Sequence, residues 1–185
     1  MFEEIKKKMN SRMDKSIQSL EDDFKKIRSG RASAGLVEGL MIDYYGNRTP
    51  LKQLASISVP EPRLIVIQPW DKGSLQDIEK AFHKSDLMLH PNNDGKVIRI
   101  SIPPLTEERR KELVKVAKAK AEEARIAIRN IRRDGNDDVK HAEKEGHLSE
   151  DDSKKAIEDI QKITDDYVEK VGILLEAKEA EIMEV

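Results

Sequence analysis

Apolar side chains recur every three or four residues through the start of the chain. Phe2, Ile5, Met9, Met13, Ile17, Leu20, Phe24 and Ile27 share one face of a single predicted helix. Gly30, after Arg28 and Ser29, is where that helix is expected to end on a left-handed cap residue. A second stripe of Leu113, Ala117, Ala121, Ala124, Ile128, Ile131, Gly135, Val139 and Ala142 predicts a helix over about 106–146, stopped by Glu145 and Gly146. Ser149, with Asp152 as a capping-box-like partner, opens a third that carries Ala156, Ile160, Ile163, Tyr167, Val171, Leu174 and Ala177. Three such stripes bury one another best as a three-helix bundle, and the alanine-rich seam of the middle helix allows close approach.

Between the first two helices the period changes. Residues 40–45 and 48–54 suggest a hairpin around a Gly46–Asn47 turn, with Pro50 pushing the second arm toward an edge or a bulge. Short strands are expected at 57–59 and 64–67, and Ile98, Ile100 and Ile102 alternate as a half-buried strand. Ser74 with Asp77 can cap a short helix whose buried side is Leu75, Ile78 and Phe82. The pattern predicts an α+β chain: a bundle domain from 1–30 plus 105–185, and an inserted β/α/β domain at 31–104. Gly30 tolerates backbone angles other residues avoid, and Pro103 and Pro104 cannot continue a strand ladder. The two crossings therefore suggest a hinge at 29–31 and 103–105, involving Gly30, Arg31, Pro103, Pro104 and Leu105.

Charged residues make up 38% of the chain and aromatics 4%, which fits long amphipathic helices washed by solvent rather than a large compact enzyme. The apolar periodicity argues against disorder. No cysteine is present, which excludes disulfides and thiolate metal sites and is compatible with a reducing compartment. No stretch approaches the roughly 20 apolar residues of a membrane span, and residues 1–8 lack the apolar run of a signal peptide, so the expectation is a soluble, cytoplasmic protein.

Charge adds a more specific signal. Projected at about 100° per residue, Lys111, Lys115, Lys118, Arg125, Arg129, Arg132, Arg133 and Lys140 fall in one sector of the middle helix about 100° wide. Glu122 alone interrupts it, while Glu108, Glu112, Glu123, Asp134, Asp137 and Asp138 lie outside it. A charge run on a helix is ordinarily a solvated face. Here the sorting of signs forgoes helical Glu–Lys pairing in a chain whose net charge is only -2, and the central members are arginines, whose planar forks grip phosphates. Such a ridge suits structured RNA read by shape and phosphate contact rather than by base sequence. Arg28 and Arg31 beside Gly30 read equally as compensation of a helix C-terminus or as ligand contacts.

Catalytic and metal-binding constellations are not found. His83, His90, His141 and His147 do not pair at metal-ligand spacing, though His141 and Glu145 can meet across one helical turn as an exposed pair. Residues 30–35 lack the ending of a phosphate loop. Paired acids such as Glu107 and Glu108 sit at helix starts, where they complement the dipole. Trp70 reads as a packing residue of the small domain in preference to a stacking platform for a base. No cofactor is expected.

Taken together, GRAS at 30–33, YYG at 44–46, PLKQLASISV at 50–59, PPLTEERRKEL at 103–113 and ARIAIRNIRRDGND at 124–137 closely resemble the bacterial ribosome recycling factor family over essentially the whole chain. The resemblance implies an elongated antiparallel three-helix bundle with the small domain set at an angle, L-shaped and like a transfer RNA. It implies a monomeric translation factor that binds the 70S ribosome and its 50S subunit, through 23S rRNA across the aminoacyl and peptidyl sites. With elongation factor G and GTP such a factor splits post-termination ribosomes from mRNA and tRNA, with no DNA or membrane partner. Carried over by residue, its ribosomal RNA contacts fall on Arg28, Gly30, Arg31, Arg129 and Arg132, with Arg125 and Arg133 beside them. One departure is Gly135, where the family pattern leads one to expect alanine; a glycine inside a helix costs on the order of 1 kcal/mol and softens it locally. The competing reading is a non-enzymatic helical adaptor or structural protein, which predicts an apolar stripe left exposed after the three helices pack.

Overall fold

A computed structural model describes residues 1–184 of the chain. Its helices are α1 (Phe2–Lys26), α2 (Leu75–Lys84), α3 (Glu107–Lys144) and α4 (Glu150–Met183). The chain divides into two compact units, one of Met1–Ser29 with Glu107–Val185 and one of Gly30–Thr106.

In the first unit α1, α3 and α4 form a three-helix bundle. Lys8 meets Asp138 and Arg12 meets Asp134, so α1 runs antiparallel to α3. Arg132 meets Gln161 and Lys118 meets Glu179, so α4 also runs antiparallel to α3 and parallel to α1. All nine residues of the α3 seam are buried, from Leu113 to Ala142. On α1 the buried set is Ile5, Met9, Met13, Leu20 and Phe24, with Ile27 buried just beyond its end, while Phe2 and Ile17 are half-buried.

On α4 the stripe departs from the apolar pattern. Ala156, Ile160, Tyr167 and Val171 are buried as expected, but Ile163 and Leu174 are only half-buried and Ala177 is exposed. Ser153, Thr164, Lys178 and Ile182 complete the buried side instead. Two of the polar members find partners on their own helix. Thr164 Oγ1 donates to the Ile160 carbonyl at 2.8 Å, and Lys178 Nζ reaches Glu181 at 3.2 Å.

Ends of the bundle helices follow their capping residues. The Ser149 hydroxyl accepts from Asp152 N at 3.1 Å and donates to the Asp152 carboxylate at 2.7 Å. At the end of α3, Gly146 at φ 79° lets its own N–H reach the Glu143 carbonyl and that of His147 reach Ala142, a Schellman ending. Gly30 does take a left-handed φ of 76°, yet it is not the cap of α1, which ends at Lys26 with Ile27 extended. What Gly30 meets is Leu105: a Cβ there would sit 3.0 Å from Leu105 Cγ, so positive φ and close approach both require glycine.

The second unit holds a two-stranded hairpin of β1 (Met41–Tyr44) and β2 (Asn47–Pro50) and a four-stranded sheet. The sheet is built from β3 (Ala55–Glu61), β4 (Leu64–Pro69), β5 (Pro91–Asn93) and β6 (Ile98–Ser101), antiparallel in the order β3-β4-β6-β5. One core joins hairpin, sheet and α2, with Ile42, Leu51, Ile65, Ile67, Ile78, Phe82, Ile98 and Ile100 at its centre.

Three expectations shift here. The hairpin turns at Tyr45–Gly46 rather than Gly46–Asn47, with both residues at positive φ, so Asn47 begins β2. Asp71 rather than Ser74 supplies the capping carboxylate before α2: its Oδ1 accepts from Gly73 N at 2.9 Å, and Ser74 Oγ donates back to the Asp71 carbonyl at 2.6 Å. Trp70 is not a packing residue; it is 69% exposed, because it follows the last residue of β4 and leaves the sheet. The edge strand β5 was unexpected, since Pro-Asn-Asn reads as a turn.

Candidate nucleic-acid interface

The ridge on α3 follows from the burial of the opposite seam. At 3.6 residues per turn, burying Ala117, Ala121, Ala124, Ile128 and Ile131 turns positions 118, 125, 129, 132, 133 and 140 outward on the side toward α4. The ridge is not bare. Glu122 accepts from two of its arginines at once, with Arg129 Nη1 3.2 Å from Oε1 and Arg125 Nη1 3.4 Å from Oε2. Lys111 pairs with Glu107 at 3.0 Å, an i,i+4 contact that the sorting of signs did not lead us to expect.

The remaining members meet α4 or solvent. Arg132 Nη1 donates to the neutral Gln161 Oε1 at 3.3 Å, and Gln161 in turn donates to Asp165 at 2.8 Å. Lys118 Nζ lies 3.8 Å from Glu179 Oε1, a charge pair too long for a hydrogen bond, which leaves that oxygen without a donor. Lys115, Arg133 and Lys140 are exposed, and none forms an ion pair among the described residues. Arg125 to Arg133 spans about 12 Å of helix at 1.5 Å per residue, so four guanidinium groups gather within two turns and a fraction.

The structure brings Arg125, Arg129, Arg132 and Arg133 together on one helix, while the other candidates lie on other segments of the chain. Arg28 is exposed beyond the end of α1. Continuing the register of Lys8 with Asp138 and Arg12 with Asp134 puts it level with the first half of α3, short of the four arginines. Gly30 and Arg31 belong to the second unit, where Arg31 is exposed. Pro103 and Pro104 are exposed in the segment before α3, and Leu105 is half-buried against Gly30. The roles of Glu122, Gln161 and Glu179 in holding the ridge were not foreseen. The helix period pairs Glu122 with its own helix neighbours, but no linear pattern gives the register of α4.

The opposite flank of α3 is acidic and is met by α1. Arg12 Nη1 is 2.8 Å from Asp134 Oδ2, and Lys8 Nζ is 3.2 Å from Asp138 Oδ2. Between α1 and α4, Tyr167 donates to Asp14 Oδ1 at 2.6 Å; burial, then that carboxylate, pushes its hydroxyl up to about 12. His141 and Glu145 do meet, at 3.2 Å, as an exposed pair near the end of α3. No helix among the described residues is long and apolar enough to cross a membrane.

With this geometry in view, residues 20–183 match the model of the family described as ribosome recycling factor. The chain is 55% identical over 185 residues to the ribosome-recycling factor of Halalkalibacterium halodurans, covering 100% of both. It is 57% identical over 174 residues to that of Nitratidesulfovibrio vulgaris, covering 94% of each. Among solved structures it resembles a solution structure of the ribosome recycling factor, with a TM-score of 0.75 and 44% identity over 100% of this chain and 98% of that one. It also resembles the T. thermophilus factor placed, with E. coli elongation factor G, on the E. coli post-termination complex, with a TM-score of 0.64 and 47% identity over 100% of both chains.

Proposed function

This chain belongs to the ribosome recycling factor family, and from that premise we propose that it is the translation factor that clears ribosomes after termination. Acting with elongation factor G and GTP, it releases mRNA and tRNA and returns the subunits for a new round. Full-length likeness to factors of that name is the observation that carries this reading. The protein works in the cytoplasm as a binding factor rather than a catalyst, and the hydrolysis of GTP belongs to its partner.

The ridge gives the factor its grip. Arg125, Arg129, Arg132 and Arg133 present guanidinium forks to large-subunit RNA, and Arg28, Gly30 and Arg31 add contacts near the crossing between the units. A helix of 38 residues is about 57 Å long, enough to lie across adjacent tRNA sites. Gly30 and Arg31 on one crossing, with Pro103, Pro104 and Leu105 on the other, serve as the hinge through which force from elongation factor G becomes displacement. The adaptor reading loses ground on its own prediction. The exposed large apolar residues of α3, Val116 and Ile126, stand ten positions, about 15 Å, apart with the charged Lys118, Lys120, Glu122 and Glu123 between them, so they form no continuous stripe.

The test is breakdown of polysomes by the purified protein, with and without elongation factor G and GTP. Breakdown that needs both is the expected result. Intact polysomes in the complete cognate mixture would sink the assignment.

A further inference from the structure

The single tryptophan and two of the three tyrosines of the chain gather at one end of the small unit. Tyr44 closes β1, and its hydroxyl donates to Asp71 Oδ2 at 3.2 Å, which sets the Tyr45–Gly46 turn beside the segment carrying Trp70. The Tyr44 and Tyr45 rings meet edge to face with centroids 4.6 Å apart. Tyr45 is 81% exposed and Trp70 69% exposed.

Tyr45 is out of place by two criteria. Its φ of 50° is left-handed, at a hairpin position where Asn, Asp or Gly is the usual residue. Its ring also lies in water, so burial does not offset that strain. The surrounding frame is fixed nevertheless. Asp71 spends one oxygen on Tyr44 and the other on Gly73 N, and Trp70 N donates to the Leu54 carbonyl at 3.1 Å. Lys72, two residues after Trp70, adds an exposed cation at the same end. Open aromatic faces on a rigid frame, with a cation beside them, match the stacking of unpaired bases; protein anchors instead fill shaped pockets.

We propose that Tyr45 and Trp70 form a stacking platform for an unpaired base of RNA, with Lys72 placed for a flanking phosphate. The choice of RNA over a protein loop rests on the proposed function, whose partner is a ribosome. The platform and the ridge belong to different units of the chain.

Trp70 is the only tryptophan, so fluorescence of the full chain excited on the red edge, where tyrosine does not absorb, reports this end alone. Titration with an unstructured oligoadenylate should quench it saturably. Tyr45→Ala should weaken that binding roughly 5- to 100-fold, and Tyr45→Phe should retain it. Tyr45→Gly should lose affinity with a Tm at or above that of the parent, since it removes the backbone strain. Arg132→Glu should leave the quenching intact. Absence of quenching, equal affinity of Tyr45→Ala, or loss of quenching in Arg132→Glu would each overturn the platform. Polysome breakdown by the unaltered protein is read separately: normal breakdown without quenching removes the platform alone, and quenching without breakdown removes the recycling assignment.

Discussion

On the flank of α3 that faces α1, Asp134 and Asp138 are taken up by Arg12 and Lys8 at 2.8 and 3.2 Å. On the flank that faces α4, Arg132 finds the neutral Gln161, Lys118 finds Glu179 only at 3.8 Å, and Arg133 stands without an ion pair among the described residues. The same helix therefore carries one charged side whose partners come from the neighbouring helix and one that is answered only in part: Glu107 and Glu122 of α3 itself take up Lys111, Arg125 and Arg129, while Lys115, Arg133 and Lys140 form no ion pair among the described residues. Charge answered from within is part of the architecture. Charge left over, at the cost of like neighbours, is where an external polyanion has something to gain.

Reversing charge on the unanswered flank should have the largest effect. Arg132→Glu should leave the thermal midpoint near the parent's, because the new side chain can accept from the Gln161 amide and stands beside the seam rather than in it. Affinity for the large subunit should fall by about 1–3 kcal/mol, roughly fivefold to more than a hundredfold. The slope of log affinity against log salt should shrink by roughly 0.7–0.9 for each phosphate the variant no longer neutralises. A collapsed midpoint with normal binding by the remaining folded protein would make the ridge structural and erase the distinction between the flanks.

The next test concerns how closely α1 approaches. A Cβ on Gly135 would come within 2.3 Å of Met9 Sδ, whereas one on Gly172 of α4 would meet nothing within 4 Å. Both glycines lie inside helices, so intrinsic propensity favours alanine at each by about 1 kcal/mol. Gly172→Ala should realise that gain in urea denaturation. Gly135→Ala should lose it and more, leaving the two variants about 2 kcal/mol apart, because Met9 is 2% exposed and has little room to move. Equal stabilisation of both would mean that the α1 face yields freely.

Gly135 also shows where reading the sequence stops. The helical period placed it in the seam, and resemblance marked it as a site expected to hold alanine; the reason for glycine is a methionine on another helix, which no linear pattern reveals. The nine residues of the α3 seam were legible because one helix's period decides them alone. On α4 the same reasoning misassigned Ala177 and overlooked Lys178, since hydrophobicity says nothing of Glu181 standing ready to pair a buried ammonium. Trp70 failed in the opposite direction: a residue type usually inside was assigned there, yet β4 ends one residue earlier. The four ridge arginines were legible as a sector, but the partner of Arg132 on α4, Gln161, was not.

Tyr167 tests the interior of the bundle through pH. Its hydroxyl is raised from the ordinary value of 10.0 to about 12 in the folded chain, so the protonated form is favoured by folding. That contribution is complete below about pH 10 and is lost as pH rises through about 12. Stability should therefore fall on the order of 1 kcal/mol more in the parent than in Tyr167→Phe between pH 9 and about 11. Parallel curves for the two proteins would show that burial and the 2.6 Å contact with Asp14 do not together hold the phenol protonated.

The smallest effect belongs to the answered flank itself. Asp134 and Asp138 are 54% and 43% exposed at the side chain, so water screens both pairs. Asp134→Ala should cost only about 0.2–1 kcal/mol, and a double-mutant cycle with Arg12→Ala should recover most of that as coupling. Subunit affinity should not fall in Asp134→Ala; removing an acid from the helix should leave it equal or slightly tighter, and freeing Arg12 adds a cation on the side away from the ridge. This sets the flanks against each other in one measurement. If losing Asp134 weakened binding as much as losing Arg132, the RNA would be gripping the helix from both sides, and the division between inward and outward charge would be wrong.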